Sequence, residues 1–404
     1  MISLEQARRA VLDPCELLPV VEVTTEQASG LATAEALTAT ELVPPFDNSA
    51  MDGFAVRAAD TVAPPNVLDV VDTIAAGSEP AVPVGPGQAA RIMTGAPLPA
   101  GADAVVMVEL TGSLDEGKRV EVREEVPIGN SIRRAGEDLS PGDPVFGPRT
   151  TLSPGHIGVL CTLGVQTVRV HRRARVGVMS TGDELVDGAG SLRPGQIRDS
   201  NRRTLLTMLH EAGCDTVDVG LVPDDEAAIE RALLSGVGSC DALISSGGVS
   251  MGDFDYVKAV LDRLGDMRWM QVAIKPAKPL AFGRIDDVPV FGLPGNPVSS
   301  VVSFELFARP ALRKMMGHRS LDRVRLRAIA DADLKRRPDG KIHFARVRCR
   351  AAEDGVLRAS FAGPQGSHQL SVMAAANALA VLPDGPGVAA GDPVQVILLA
   401  GPEV

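Results

Sequence analysis

Between residues 202 and 212 the apolar positions Leu205, Met208, Leu209 and Ala212 recur at i, i+3, i+4 and i+7, the spacing of one helix face, and Gly213 follows as a stop. Short apolar runs surround this helix: Arg175–Ser180, Thr216–Val222, Ala242–Ser246, a run near Met270–Ile274, and Val288–Gly292. Each has the length of a buried strand. Helical patterns separate them at Glu226–Leu234, Tyr256–Leu264 and Val298–Met316, the last interrupted at Pro310. Alternation of this kind predicts an α/β domain over residues 174–318, with a mostly parallel sheet covered by helices on both faces.

The flanks follow other patterns. The chain opens on an amphipathic helix in which Ser3 and Gln6 have capping-box spacing. A Thr- and Ala-rich stretch then runs to about residue 44. Residues 45–139 are punctuated by Pro and Gly around the β-like runs Asn66–Val71, Ala104–Val108 and Arg119–Val122, which reads as a β-rich module. Residues 140–173 carry a helix entered through Ser153 and Pro154, and are expected to join residues 1–44. Beyond residue 319 strands return at Val324–Ala330, Ile342–Arg350, Val356–Phe361, Ala378–Leu382 and Val394–Leu399. The expected division is therefore 1–44 with 140–173, then 45–139, 174–318 and 319–404.

Composition removes several function classes. The net charge of −11 repels nucleic acid and anionic membranes, and 3% aromatics leave few stacking platforms for single strands. No apolar run reaches the ~20 residues that span a bilayer. The five cysteines are widely separated, with no C-x-x-C pair, which favours a reducing compartment and a cytoplasmic protein. Gly112–Arg119 begins like a P-loop, but Arg119 replaces the required Ser or Thr and a strand-like run follows. Gly248–Gly252 matches the G-x-S-x-G elbow around Ser250, with His318, His343 or His368 downstream. Two glycines precede that match and a Gly-Asp-Phe-Asp run delays the helix, against an esterase.

Ligands of open parallel sheets bind outside the carboxyl ends of the strands. Three polar, glycine-rich segments follow predicted strands on that edge: Thr181–Leu185, Gly247–Asp255 and Leu293–Pro297. Gly247 and Gly248 let backbone amides approach a ligand. In the last segment Gly295 precedes Asn296 and Pro297, which suit the N-cap and first position of a helix, an anion-binding end. The segment Lys275-Pro276-Ala277-Lys278-Pro279 adds two cations held by prolines. Glu184, Asp253 and Asp255 offer carboxylates suited to Mg²⁺ beside a phosphate. Each feature alone is ordinary loop chemistry; their convergence on one edge is what argues for a site.

Further motifs run in order along the chain: Pro44–Ala55 (Pro-Pro-Phe-Asp-Asn-Ser-Ala-Met-Asp-Gly-Phe-Ala), Arg91–Pro97, Ile132–Asp138, and Gln365–Met373 followed by Ala376-Asn377. Together with the strand-end segments, the first of these resembles the signature of the molybdopterin molybdenumtransferases, shared with the C-terminal domain of gephyrin. The resemblance implies four domains, the third binding molybdopterin and the last a small β-barrel-like domain. It implies a homodimer whose cleft is lined by the third domain of one copy and the second of the other. The reaction it implies takes adenylylated molybdopterin and molybdate, with Mg²⁺, to molybdenum cofactor and AMP. Carried over motif by motif, Asp52, Thr94, Arg133 and Asp138 enter the cleft from the second domain. Glu184, Asp224, Asp255, Lys275 and Lys278 line it from the third; Pro294 and Pro297 shape the pterin side, and Ser371 approaches from the fourth. Asp52, Glu184 and Asp255 are the expected Mg²⁺ ligands. Asp138, Lys275 and Lys278 join them as catalytic groups, and the Gly247–Ser250 loop holds the substrate.

Two positions depart from the family pattern: Gln271 stands where a basic residue is common, and Ala277 where Gly is usual. The partner classes implied are a molybdopterin adenylyltransferase and molybdoenzyme maturation proteins. Competing readings are a molybdopterin adenylyltransferase, a gephyrin-like scaffold and the esterase.

Overall fold

The computed structural model describes residues 1–248 and 256–401, so Ser250, Asp253 and Asp255 lie outside the described residues. Contacts divide the chain into two compact units: residues 1–34, 149–153 and 168–404 in one, and residues 35–148 and 154–167 in the other.

The first unit opens with helix α1 (Leu4–Leu12), closed at its start by the reciprocal Ser3–Gln6 capping box. The α/β elements follow: β1 (Arg175–Thr181), α2 (Asn201–Glu211), β2 (Asp215–Val222), α3 (Glu226–Val237), β3 (Ala242–Ser246), α4 (Tyr256–Leu264), β4 (Asp266–Gln271), β5 (Pro279–Ile285) and β6 (Val288–Leu293). They form one sheet in the order β2-β1-β3-β6-β5-β4. The first four strands are mutually parallel. Strand β5 runs antiparallel to both β6 and β4, and its hairpin to β6 turns through Asp286 and Asp287 at φ 45° and 69°. Two consecutive left-handed residues give the turn whose twist suits a two-residue hairpin.

Apolar faces bury on both sides of this sheet. Leu4, Ala7 and Val11 of α1 join Leu205 and Leu209 of α2 on one side, with Phe282 and Phe291 from the sheet. Ile229 and Leu233 of α3 pack with Val257, Val260 and Leu261 of α4 in a second core. The helical run after β6 is α5 (Pro297–Ser303), a π turn at Phe304–Ala308, and α6 (Arg309–Met315). The expected interruption thus falls on the turn just before Pro310. Proline has no N–H to give the carbonyl four residues back, and its ring crowds that carbonyl. That carbonyl belongs to Leu306, and it accepts instead from Arg8 Nη1 at 2.7 Å, which seats α1.

A closed five-stranded barrel ends the unit: β7 (Arg325–Ala330), β8 (Ile342–Ala351), β9 (Leu357–Phe361), β10 (Ala378–Leu382) and β11 (Pro393–Leu398). Closure runs β8-β9-β7-β11-β10 and back to β8. The lysine segment is tied to it, because Ile274 and Lys275 pair in parallel with Ile342 and His343 of β8. Among the described residues no helix is long and apolar enough to cross a membrane.

The second unit holds a six-stranded sheet in the order Ala104–Met107, Gly53–Val56, Gln88–Ile92, Asn66–Ile74, Arg119–Val122, Thr111–Leu114. The near-miss P-loop is a hairpin here: Thr111–Leu114 pairs antiparallel with Arg119–Val122, and no helix follows Lys118.

His318, just past α6, is buried, and its Nδ1 lies 2.8 Å from Thr151 Oγ1. Burial, reinforced by Arg313, Arg309, Arg173 and Arg149, pushes its pKa down to about 4. The unfolded chain therefore takes up a proton near pH 6.5 that the folded chain refuses until about pH 4. Stability from this residue is full above pH 6.5 and is lost as pH falls through that window, by about 3 kcal/mol at its foot. Between pH 7.5 and pH 5, wild-type protein should lose more thermal stability than His318→Gln; equal losses would place the acid sensitivity elsewhere.

Candidate active site at the carboxyl edge of the sheet

The strand order reverses between β1 and β3, since the chain leaves β1 for β2 on one side and returns to β3 on the other. Crossover helices diverge at such a point and leave a crevice beyond the strand ends. A cavity of about 700 Å³ opens there. Strand β1 ends in Ser180, Thr181, Gly182 and Glu184; Asp224 follows β2; Ser246, Gly247 and Gly248 end β3; and Gly295, Asn296 and Pro297 follow β6. The three segments expected from the sequence thus share one cavity as far as they are described.

Glycine at 248 is a steric requirement. Its φ is +68°, and a Cβ there would stand 2.4 Å from the Val257 side chain of α4. The helix start is more occupied than its sequence suggests. Asn296 takes the N-cap position with Pro297 next, but the Asn296 side chain makes no capping bond, and Val298 N–H already donates to Ser367 O at 3.1 Å. Pro294, before it, is buried.

Acidic groups crowd one wall. Asp183 and Asp224 exchange backbone bonds, Asp183 N–H donating to Asp224 Oδ2 at 3.4 Å and Asp224 N–H to Asp183 Oδ1 at 3.2 Å. Burial raises the Asp224 pKa above the usual carboxylate range, the Asp183 N–H opposes this, and the charges of Asp183 and Glu184 add to the rise. Asp224 and Glu184 offer the oxygen donors that Mg²⁺ takes, beside a glycine loop suited to a phosphate, so the donor set fits that ion. Among the described residues no three His, Cys, Asp or Glu side chains form a ready ligand cluster.

Neither lysine of the paired segment lines this cavity. Lys275 lines a second one, of about 470 Å³, with Arg336, Arg337, His343 and Arg346 of the barrel module. Lys278 is exposed and lines neither cavity. The residue between them, Ala277, is buried at φ +72°, a left-handed conformation that explains a preference for Gly at this position. Ser371 is exposed on the short helix Leu370–Ala375 and lines neither cavity, whereas His368 from the preceding loop lines the first.

In the second unit three of the sequence motifs meet. Asn48 and Ser49 pair with Ile132 and Arg133, and Gly95 N–H donates to Ser49 O at 2.8 Å. Asp52 Oδ1 accepts from both the N–H and the Oγ1 of Thr94, each at 2.7 Å. Those two bonds hold the Asp52 carboxyl below its usual range, so it is an anion at neutral pH. Arg133 and Asp138 are exposed, and Asp138 N–H donates to Val43 O at 2.9 Å.

Sequence reasoning missed Asp199, Asn201 and His368 as cavity residues. Asp199 reads as a cap or turn former just before its helix, and nothing in the local pattern marks Asn201. His368 arrives from a distant module, and only its place in a motif could have drawn attention to it.

Comparison with known proteins follows this geometry closely. Residues 2–164 match a model of the MoeA N-terminal region (domain I and II), residues 177–314 one of a probable molybdopterin binding domain, and residues 327–399 one of the MoeA C-terminal region (domain IV). The chain is 38% identical to the molybdopterin molybdenumtransferase of Haemophilus influenzae, covering 98% of both chains. It is 36% identical to that of Bacillus subtilis over 91% of this chain and 86% of that one. A crystal structure of the molybdopterin biosynthesis MoeA protein of Pyrococcus horikoshii superimposes with a TM-score of 0.83 at 29% identity, covering 98% of this chain and all of that one.

Proposed function

The chain belongs to the molybdopterin molybdenumtransferase family and acts in molybdenum insertion during cofactor biosynthesis, and from that premise we propose how its site works. The substrates are adenylylated molybdopterin and molybdate, and the cavity between the ends of β1 and β3 receives the adenylylated pterin. The observation that carries this reading is the meeting of Glu184, Asp224, Gly247, Gly248 and the Gly295–Pro297 loop in one cavity at the switch point.

The Gly247–Gly248 turn, with no side chain in the way, lets the phosphoanhydride come close to the backbone and fixes its orientation. Glu184 and Asp224 would hold Mg²⁺, with Asp52 as a further carboxylate. When bound, the ion would neutralise charge on the phosphoanhydride. An oxygen of molybdate attacks the adenylate phosphorus, the bond from that phosphorus to the pterin phosphate oxygen breaks, and AMP leaves carrying the molybdate oxygen. The two dithiolene sulfurs take the places of two molybdate oxygens, one carried off in AMP and the other leaving as water with the thiol protons, so the molybdenum's ligands come from substrate and no protein cysteine is needed. Lys275, in the cationic cleft with Arg346, attracts the molybdate oxyanion. We further infer a homodimer in which Asp52, Thr94, Arg133 and Asp138 serve the cavity of the partner copy.

Incubation of the purified chain with adenylylated molybdopterin tests this reading. AMP release should require both molybdate and a divalent cation, and EDTA should suppress it. ATP consumption with unmodified molybdopterin, and no AMP release from the adenylate, would favour an adenylyltransferase instead.

A further inference from the structure

Asn201, the first residue of α2, stands on the cavity wall between two of the ligand-binding segments. Its Nδ2 donates to Ser246 Oγ at 2.8 Å and to the Gly295 carbonyl at 2.8 Å. A primary amide carries two donor hydrogens, and both are used here. One goes to the end of β3, immediately before Gly247, and the other to the loop that starts α5. These segments also meet through backbone, since Gly247 N–H donates to Leu293 O at 3.1 Å. The two loops approach so closely that a Cβ on Gly295 would lie 3.9 Å from the Gly247 Cα.

The start of α2 is itself fixed. The buried Asp199 accepts from Ser180 Oγ of β1 at 3.1 Å, and from the backbone N–H and Nε of Arg202 at 3.2 and 2.9 Å. Asn201 is thus carried on an anchored helix end and reaches from it to both segments just where they leave the paired strands β3 and β6.

We propose that Asn201 is a positioning residue, setting the separation of the Gly247–Gly248 and Gly295–Pro297 segments so that both contact the adenylylated pterin at once. The inference deepens the function proposed above and rests on it for the identity of the ligand. Because the loops hold substrate before and during the reaction, loosening them weakens both complexes alike and raises KM more than it lowers kcat.

Two measurements on full-length Asn201→Ala and Asn201→Asp test it, alongside melting temperatures. The first is amide hydrogen exchange in the unliganded protein at Gly247 and Ser300, whose N–H groups donate to Leu293 O and Asn296 O. Asn201→Ala should exchange about tenfold faster at both while the strands keep their protection. The second is AMP release, where KM should rise about tenfold with kcat within about threefold, and more steeply for Asn201→Asp, which sets a carboxylate against the Gly295 carbonyl. A raised KM with unchanged exchange would make Asn201 a direct ligand contact and overturn the proposal, as would unchanged KM. Faster exchange in a protein whose wild type releases no AMP would leave the positioning role standing and sink the assigned reaction instead.

Discussion

Glu184→Gln protein is expected to release AMP from adenylylated molybdopterin at least about 100-fold more slowly than wild type, with a melting temperature unchanged within about 2 °C. Glu184 is exposed and lies in the loop after β1, where its backbone carbonyl accepts from Ile197 N–H at 2.8 Å. No core depends on its side chain. The carboxylate does stand on the wall shared with Asp224, and its charge adds to the rise in the Asp224 pKa. Glutamine keeps the shape and removes the charge, so a lost ion should show in kcat and in the Mg²⁺ concentration needed for half-maximal rate. Wild-type turnover with wild-type Mg²⁺ dependence would remove Glu184 from the mechanism. Mixing inactive Glu184→Gln with inactive Asp52→Ala should restore roughly a quarter of wild-type activity if subunits exchange freely and each cavity draws on both copies.

Arg202→Ala should be the most damaging single change to stability outside the apolar core. The Arg202 side chain is 2% exposed, and its guanidinium bonds three carboxylates: Asp199 at 2.9 Å, Asp187 at 2.5 Å, and Asp218. Asp199 is itself 1% exposed and would be left buried without its cation. Breaking a buried pair in this way costs about 3–5 kcal/mol, a fall in melting temperature of roughly 6–20 °C for a domain of this size. Arg202→Lys should recover only part of it, because an ammonium cannot bridge three carboxylates as a planar fork does. A fall below 2 °C for Arg202→Ala would show that the network contributes little. AMP release should fall with stability, since Asp199 also holds Ser180 at the cavity.

Arg202 also shows where the sequence was opaque. Its helix was legible, because the apolar positions every three to four residues belong to that helix alone. Arg202 shares that face, three residues before Leu205 and seven before Leu209, but a charged side chain at a helix start adds nothing to an apolar pattern and reads as solvated. Its burial depends on Asp187 in a loop and Asp218 on β2, which no local pattern connects to it. Strand β5 was unread for a related reason. It begins at Pro279 beside the lysine segment, and its hairpin turns through Asp286 and Asp287 where an Asn-Gly pair would have been the usual signal. The three strand-end segments were legible because glycine-rich loops after apolar runs must fall on one edge of a parallel sheet. The cationic cleft was half legible. Both lysines were seen, but the pairing of Lys275 with β8, which brings it to the cleft lined by Arg346, is a product of the barrel's closure.

The central claim is that the cavity between the ends of β1 and β3 receives the adenylylated pterin. Crystals of the chain grown with adenylylated molybdopterin test it most directly. Ligand density against Gly247, Gly248, Asp224 and the Gly295–Pro297 loop is the predicted result. Well-defined density confined to the cleft of Lys275 and Arg346, with the switch-point cavity holding only solvent, would contradict it.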